Sequence, residues 1–177
     1  MARAVPVPLA LFGAGRIGAI HGRNVAAHPR LRLAHVVDPM SNAAVALAAA
    51  CGARLSSAEE ALADPAVDAV LIASSTNTHV DLITASARAG KAILCEKPID
   101  LDIERVERCQ IDIAGTGVPL QIAFNRRHDR SHRAVHDAVH AGQKDVAHAL
   151  RVKRQCDPLE RPLHVYRIDR DAKYVGP

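Results

Sequence analysis

Apolar runs of strand length alternate with amphipathic or Ala-rich stretches along most of the chain. Val7 to Phe12 is the first such run. The stretch Arg16 to Ala27 follows, with Ile17, Ile20, Val25 and Ala26 on or near one helical face, and His28-Pro29 ends it. Leu31 to Val37 alternates loosely and predicts a second strand, closed by Asp38-Pro39. Ser41 is placed to cap an Ala-rich helix through Cys51, with Gly52 just past its end. Ala53 to Leu55 predicts a short strand. Ser57-Ala58-Glu59-Glu60 has capping-box spacing and opens a short helix that stops before Asp64-Pro65.

The alternation then repeats. Val67 to Ala73 predicts a buried strand running into the polar loop Ser74-Ser75-Thr76-Asn77-Thr78-His79, and Thr78 is a candidate cap for a helix from His79 to Ala89, closed by Gly90. Ala92 to Cys95 predicts a strand ending in Glu96-Lys97-Pro98, and Asp100 or Asp102 caps a helix through about Ala114. Leu120 to Phe124 predicts one more strand, ending in Asn125-Arg126-Arg127, and Ser131 to Ala141 reads as a helix. Strands regularly separated by helices predict an α/β fold, a Rossmann-type doubly wound parallel sheet. Val146 to Lys153 reads as the first strand of a second α/β domain, of which only the start is present. The expected organisation is a cofactor domain over 1–125, the start of a substrate domain over 126–158, and an irregular tail over 159–177.

Composition adds limits. The chain has 177 residues, 49% of them hydrophobic, with two Phe, two Tyr and no Trp, so Val, Ile, Leu and Ala must build the core. Residues 1–150 carry 16 Lys/Arg against 15 Asp/Glu, and 151–177 carry 7 against 4. The basic excess therefore belongs to the tail, which argues against a nucleic-acid-binding face on the folded domain. No run approaches the roughly 18 apolar residues of a membrane span. Cys51, Cys95, Cys109 and Cys156 form no CxxC pair and follow no secretory signal, which points to reduced thiols in the cytoplasm.

The chemistry gathers at the predicted strand ends. Gly13-Ala14-Gly15-Arg16-Ile17-Gly18 reads G-x-G-x-x-G between a strand and a helix. Alone the motif is weak, but in that setting each glycine has its own use. The first permits a tight turn, the second lets the backbone approach a pyrophosphate closely, and the third lets helix and strand pack closely. The phosphates would lie at the helix N-terminus. Asp38 lies 20 residues beyond Gly18, where a carboxylate hydrogen-bonds the adenosine ribose and repels a 2′-phosphate. This favours NAD over NADP.

The glycine loop, Asp38, the Ser-Thr-Asn-Thr-His loop, Cys-Glu-Lys-Pro at 95–98 and Phe-Asn-Arg-Arg at 124–127 together resemble the Gfo/Idh/MocA oxidoreductases, most of all their inositol 2-dehydrogenases. The resemblance covers roughly residues 7–150. It implies an N-terminal Rossmann domain followed by an α/β domain that often mediates homo-oligomerisation. It also implies hydride transfer between a nicotinamide and a polyol such as myo-inositol. By position, Gly13, Gly15, Arg16, Ile17 and Gly18 would hold the pyrophosphate and Asp38 the ribose. Ser74, Ser75, Thr76, Asn77 and His79 would line the adenosine and nicotinamide side. Glu96 and Lys97 would sit by the nicotinamide. Lys97 would contact the reacting hydroxyl, and Arg127 would reach substrate.

The family pattern is incomplete. The resemblance calls for an Asp-x-x-x-His pair in the second domain, and no such spacing follows residue 100. Asp129 and His132 are three apart, as are Asp137 and His140, and Asp157 and His164 are seven apart. His128, His132, His136 and His140 recur every four residues, a spacing that puts them on one helix face. Without further ligands the expectation is divergence and no metal site. After Asp157-Pro158 the resemblance fades, which suggests a frameshift or truncation near there. The functional expectation is an inositol 2-dehydrogenase-type enzyme impaired by loss of the Asp-x-x-x-His domain. The alternative is a non-catalytic NAD-binding module or inactive fragment.

Overall fold

The structure, a computed structural model, describes residues 6–39 and 41–141. The expected strand at 146–153, Cys156 and the tail from 159 lie outside the described residues. The described residues divide into two units, one ending at Phe124 and one beginning at Asn125.

The first unit is a six-stranded sheet. Its strands are β1 (Val7–Phe12), β2 (Leu31–Val37), β3 (Arg54–Leu55), β4 (Ala69–Ile72), β5 (Ala92–Cys95) and β6 (Leu120–Ile122). They run in the order β3-β2-β1-β4-β5-β6, every adjacent pair parallel. The helices are α1 (Arg16–Ala27), α2 (Ser41–Cys51), α3 (Ala58–Ala63), α4 (His79–Arg88) and α5 (Ile103–Ile113). The doubly wound parallel sheet expected from the alternation is therefore present. Its strand order reverses between β1 and β4, where such sheets bind ligands.

Strand residues alternate between two cores, as a pleat requires, except in β2, where a register shift against β1 puts both Leu33 and Val36 in the same one. Leu9, Leu11, Leu33, Val36 and Leu71 pack with Val25 of α1 and Ala44, Leu47 and Ala48 of α2. Ala10, Phe12, Val70, Ile72, Ile93 and Cys95 pack with Ala61 of α3, Val80, Ile83 and Ala87 of α4, and Cys109 of α5. A chain poor in aromatics fills its sheet with aliphatic side chains, and Phe12 is the largest that is fully buried. Burial pushes the Cys95 thiol up to about 12, with the neighbouring Glu96 charge adding to the effect. Cys51, Cys95 and Cys109 are free thiols.

Two polar networks that the hydrophobic pattern does not announce tie down the loop between α3 and β4. The buried His35 ring bridges Ser56 Oγ at 2.7 Å and Asp64 Oδ2 at 2.9 Å. Buried Lys91 donates from Nζ to the carbonyls of Asp64 and Val67, each at 2.8 Å. Val67 thus gives its carbonyl to a lysine, and β4 begins two residues later than its apolar run suggests. No helix among the described residues is long and apolar enough to cross a membrane.

In the second unit a 3-10 turn over Asn125–His128 leads into α6 (Arg130–His140). Asp129 caps α6 by accepting from the His132 backbone N–H at 3.0 Å.

Candidate dinucleotide site

The glycine loop is shaped by contacts that exclude side chains. Gly13 has φ +100°, and a Cβ there would lie 2.6 Å from the backbone of Ala73 and Ser74, at the end of β4. Its N–H donates to Val37 O at 2.8 Å. A Cβ on Gly18 would lie 1.9 Å from Gly13 O, so helix and loop touch backbone to backbone. At Gly15, by contrast, a Cβ would meet nothing within 4 Å. Gly15 is the N-cap of α1, with no side-chain cap and no acidic residue in the first turn to take up the N–H groups there.

Asp38, at the end of β2, accepts from the Ala14 N–H through Oδ2 at 2.6 Å. This bond joins the acidic residue to the glycine loop across 24 positions. Below them opens a cavity of about 670 Å³ that Gly13, Gly15, Arg16, Ile17, Asp38, Ser74 and Ser75 help to line. All seven are expected site residues. Pro39, Ala58, Thr78, Asp81 and Leu82 add to the wall, and their type alone does not mark them. Gly18 is buried beneath the loop and supports it without lining the cavity.

The loop after β4 forms a 3-10 turn, Thr76–Thr78. Thr78 does not cap α4 with its side chain as expected. Its hydroxyl instead donates to Ser75 O at 2.7 Å and meets Ser74 Oγ at 2.7 Å. Thr76 is half-buried and Asn77 exposed, and neither lines this cavity.

His79 has a different place from the one its polar loop suggests. It is 1% exposed, with Nδ1 2.8 Å from Pro98 O and Nε2 3.1 Å from Ser74 O. The ring lies between two backbone carbonyls, a neutral imidazole donating to one of them, and is not among the residues lining the cavity.

Glu96, Lys97 and Pro98 follow β5, with a cis Lys97-Pro98 bond. Glu96 N–H donates to Ile72 O at 2.8 Å, setting the turn beside the end of β4. Its carboxylate accepts from His21 Nε2 at 2.8 Å and from the Lys97 N–H at 3.3 Å. Lys97 is exposed. Arg127, the weaker substrate candidate, is exposed in the 3-10 turn of the second unit. The four-residue histidine spacing does put His136 and His140 together, stacked with ring centroids 3.9 Å apart. Among the described residues no group of three or more His, Cys, Asp or Glu could hold a metal ion.

Comparison with known proteins agrees with this fold. Residues 7–124 match the GFO_IDH_MocA family, described as an oxidoreductase family with an NAD-binding Rossmann fold. An inositol 2-dehydrogenase from Rhizobium meliloti (strain 1021) is 48% identical over 159 residues, which are 89% of this chain and 47% of that protein. A myo-inositol dehydrogenase from Corynebacterium glutamicum superposes with a TM-score of 0.72 at 43% identity, covering 78% of this chain and 42% of that one. The scyllo-inositol dehydrogenase of Lactobacillus casei, solved with NAD(H) and scyllo-inositol, gives a TM-score of 0.73 at 29% identity over 78% of this chain and 42% of its own. The chain spans about half the length of the curated relatives it matches. With its glycine loop, acidic β2 terminus and Glu-Lys-Pro turn on a parallel sheet of this order, the chain belongs to the Gfo/Idh/MocA oxidoreductase family.

Proposed function

We propose that this chain provides the cofactor-holding half of an NAD-dependent, inositol 2-dehydrogenase-type oxidoreductase acting on a cyclitol such as myo-inositol. The observation that carries the reading is the cavity at the β1/β4 switch point, bounded by the glycine loop, Asp38 and Ser74-Ser75. The residues fit a dinucleotide. The open space beside Gly15 lets a pyrophosphate approach the backbone, and the uncapped start of α1 presents N–H groups to it. The Asp38 carboxylate suits ribose hydroxyls and repels a 2′-phosphate, which favours NAD over NADP.

Bound NAD would supply the hydride acceptor. The Lys97 ammonium donates to the substrate hydroxyl oxygen and stabilises negative charge as the proton leaves. Arg127 is a second candidate for contact with substrate. No Asp-x-x-x-His spacing follows residue 100, so these 177 residues supply Lys97 without the second proton carrier that the family resemblance implies. Free, buried Cys95 and Cys109 suit a reducing cytoplasm.

Titration of the chain with NADH, followed by cofactor fluorescence, tests the reading. Saturable binding competed by NAD is expected, and absence of binding at about millimolar NADH overturns it. With NAD and myo-inositol, no NADH should accumulate from these 177 residues alone. Turnover at an ordinary dehydrogenase rate, about 1–10³ s⁻¹, would overturn the assignment of the missing proton carrier.

A further inference from the structure

We propose that His21 is a positioning residue for the turn that carries Lys97, fixing the Glu96 carboxylate to the helix that rises from the glycine loop. The proposal rests on the preceding reading, in which the Glu96-Lys97-Pro98 turn meets the nicotinamide half of the cofactor.

His21 lies on α1, one helical turn past Gly18. Its Nε2 is 2.8 Å from Glu96 Oε1, a contact across 75 positions of sequence. A carboxylate only accepts, so Nε2 carries the proton and donates. The other carboxylate oxygen takes the Lys97 backbone N–H at 3.3 Å. Both oxygens of Glu96 are thus engaged within the protein, one by α1 and one by the residue next to it. This arrangement is a brace: it sets the direction in which the chain leaves Glu96, and therefore where Lys97 begins. The Glu96 N–H, held by Ile72 O at 2.8 Å, fixes the base of the brace to the sheet.

The far side of Lys97 is held in the same manner. His79 reaches Pro98 O at 2.8 Å from the start of α4 and Ser74 O at 3.1 Å. Lys97 therefore stands between two histidine-held points. One is tied to the helix whose N-terminus would face the pyrophosphate, and the other to the loop that borders the cavity. His21 is the testable member. Its side chain is 24% exposed, against 1% for the whole of His79, so replacing it leaves the core intact. A histidine there for helix packing alone would act on α1 and hence on the whole nucleotide. A histidine acting through Glu96 acts only on the nicotinamide half.

The experiment compares NADH with ADP, which has the adenosine and pyrophosphate but no nicotinamide, on the full chain and its His21→Ala, His21→Gln, Glu96→Ala and His21→Ala/Glu96→Ala variants. Loss of a charge-assisted hydrogen bond is expected to weaken NADH about tenfold in His21→Ala while ADP stays within about twofold. Glutamine, whose amide N–H also reaches Glu96, should restore most of the NADH affinity. The double variant should bind NADH no more weakly than Glu96→Ala, because both changes remove one interaction. Unchanged NADH affinity in His21→Ala, equal losses of NADH and ADP, or additive losses in the double variant would each overturn the proposal while leaving the NAD site standing. Failure of the unaltered chain to bind either nucleotide would overturn the site and the brace together.

Discussion

Gly15 and Gly18 stand three positions apart in one loop and are glycine for different reasons. A Cβ at Gly18 would sit 1.9 Å from Gly13 O, inside the protein's own backbone. Gly18→Ala should therefore cost roughly 1–3 kcal/mol of unfolding free energy, measured by urea denaturation. Gly15 has φ −66° and ψ −170°, open to any residue, and nothing within 4 Å of an added Cβ. Gly15→Ala should keep its stability to within about 0.5 kcal/mol and lose NADH affinity about tenfold or more. If Gly15→Ala binds NADH like the unaltered chain, the backbone approach is not at that residue. The tight turn at Gly13 and the close packing at Gly18 are legible in sequence because they follow from local spacing. His21 and His79 are not. Each acts through a partner distant in sequence, Glu96 in one case and Pro98 in the other, and no local pattern links them. A histidine at the end of a polar loop reads as a ligand contact until its two carbonyl partners are known.

At the scale of elements, caps are legible when both members lie within one turn. The capping box of α3 forms as its spacing predicts, with Ser57 Oγ accepting from Glu60 N at 3.1 Å and Glu60 Oε2 from Ser57 N at 2.9 Å. Asp102, one of two candidates, caps α5 through Glu104 N at 2.9 Å, and the other, Asp100, pairs with Arg105 at 3.0 Å. Thr78 looks like a cap by type, but its hydroxyl is already engaged inside the 3-10 turn. The α6 cap is Asp129, whose carboxyl is lowered to about 2, first by the His132 backbone N–H and then by the His132 ring. The unfolded value, near 3.8, is higher, so the stabilisation is complete above it and is lost as pH falls toward about 2. Asp129→Ala should accordingly lower stability at about pH 6, and the gap from the unaltered chain should narrow at about pH 3. Urea midpoints at the two pH values check this, and a gap that widens in acid would show that the charge is not what caps α6.

The order of the strands, unlike the elements themselves, depends on contacts between distant segments. A strand–helix alternation is compatible with more than one parallel order. The glycine loop selects the order here, since it requires β1 to lie between β2, which carries Asp38, and β4, which carries the Ser74-Ser75 loop. One consequence concerns the chain as a whole. Among the described residues, those lining the candidate cavity lie between Phe12 and Leu82, and the Glu96 brace lies within the same unit, which ends at Phe124. The described residues of the two cores that hold the sheet come from that unit as well. A fragment ending at Phe124 keeps all six strands and both His21 and His79. Expressed alone, it should bind NADH with an affinity within about threefold of the 177-residue chain. Calorimetric or fluorescence titration of the two proteins side by side makes the comparison. A large loss in the fragment, with its far-UV circular dichroism unchanged, would mean that residues after 124 touch the cofactor, and Arg127 would be the first to replace.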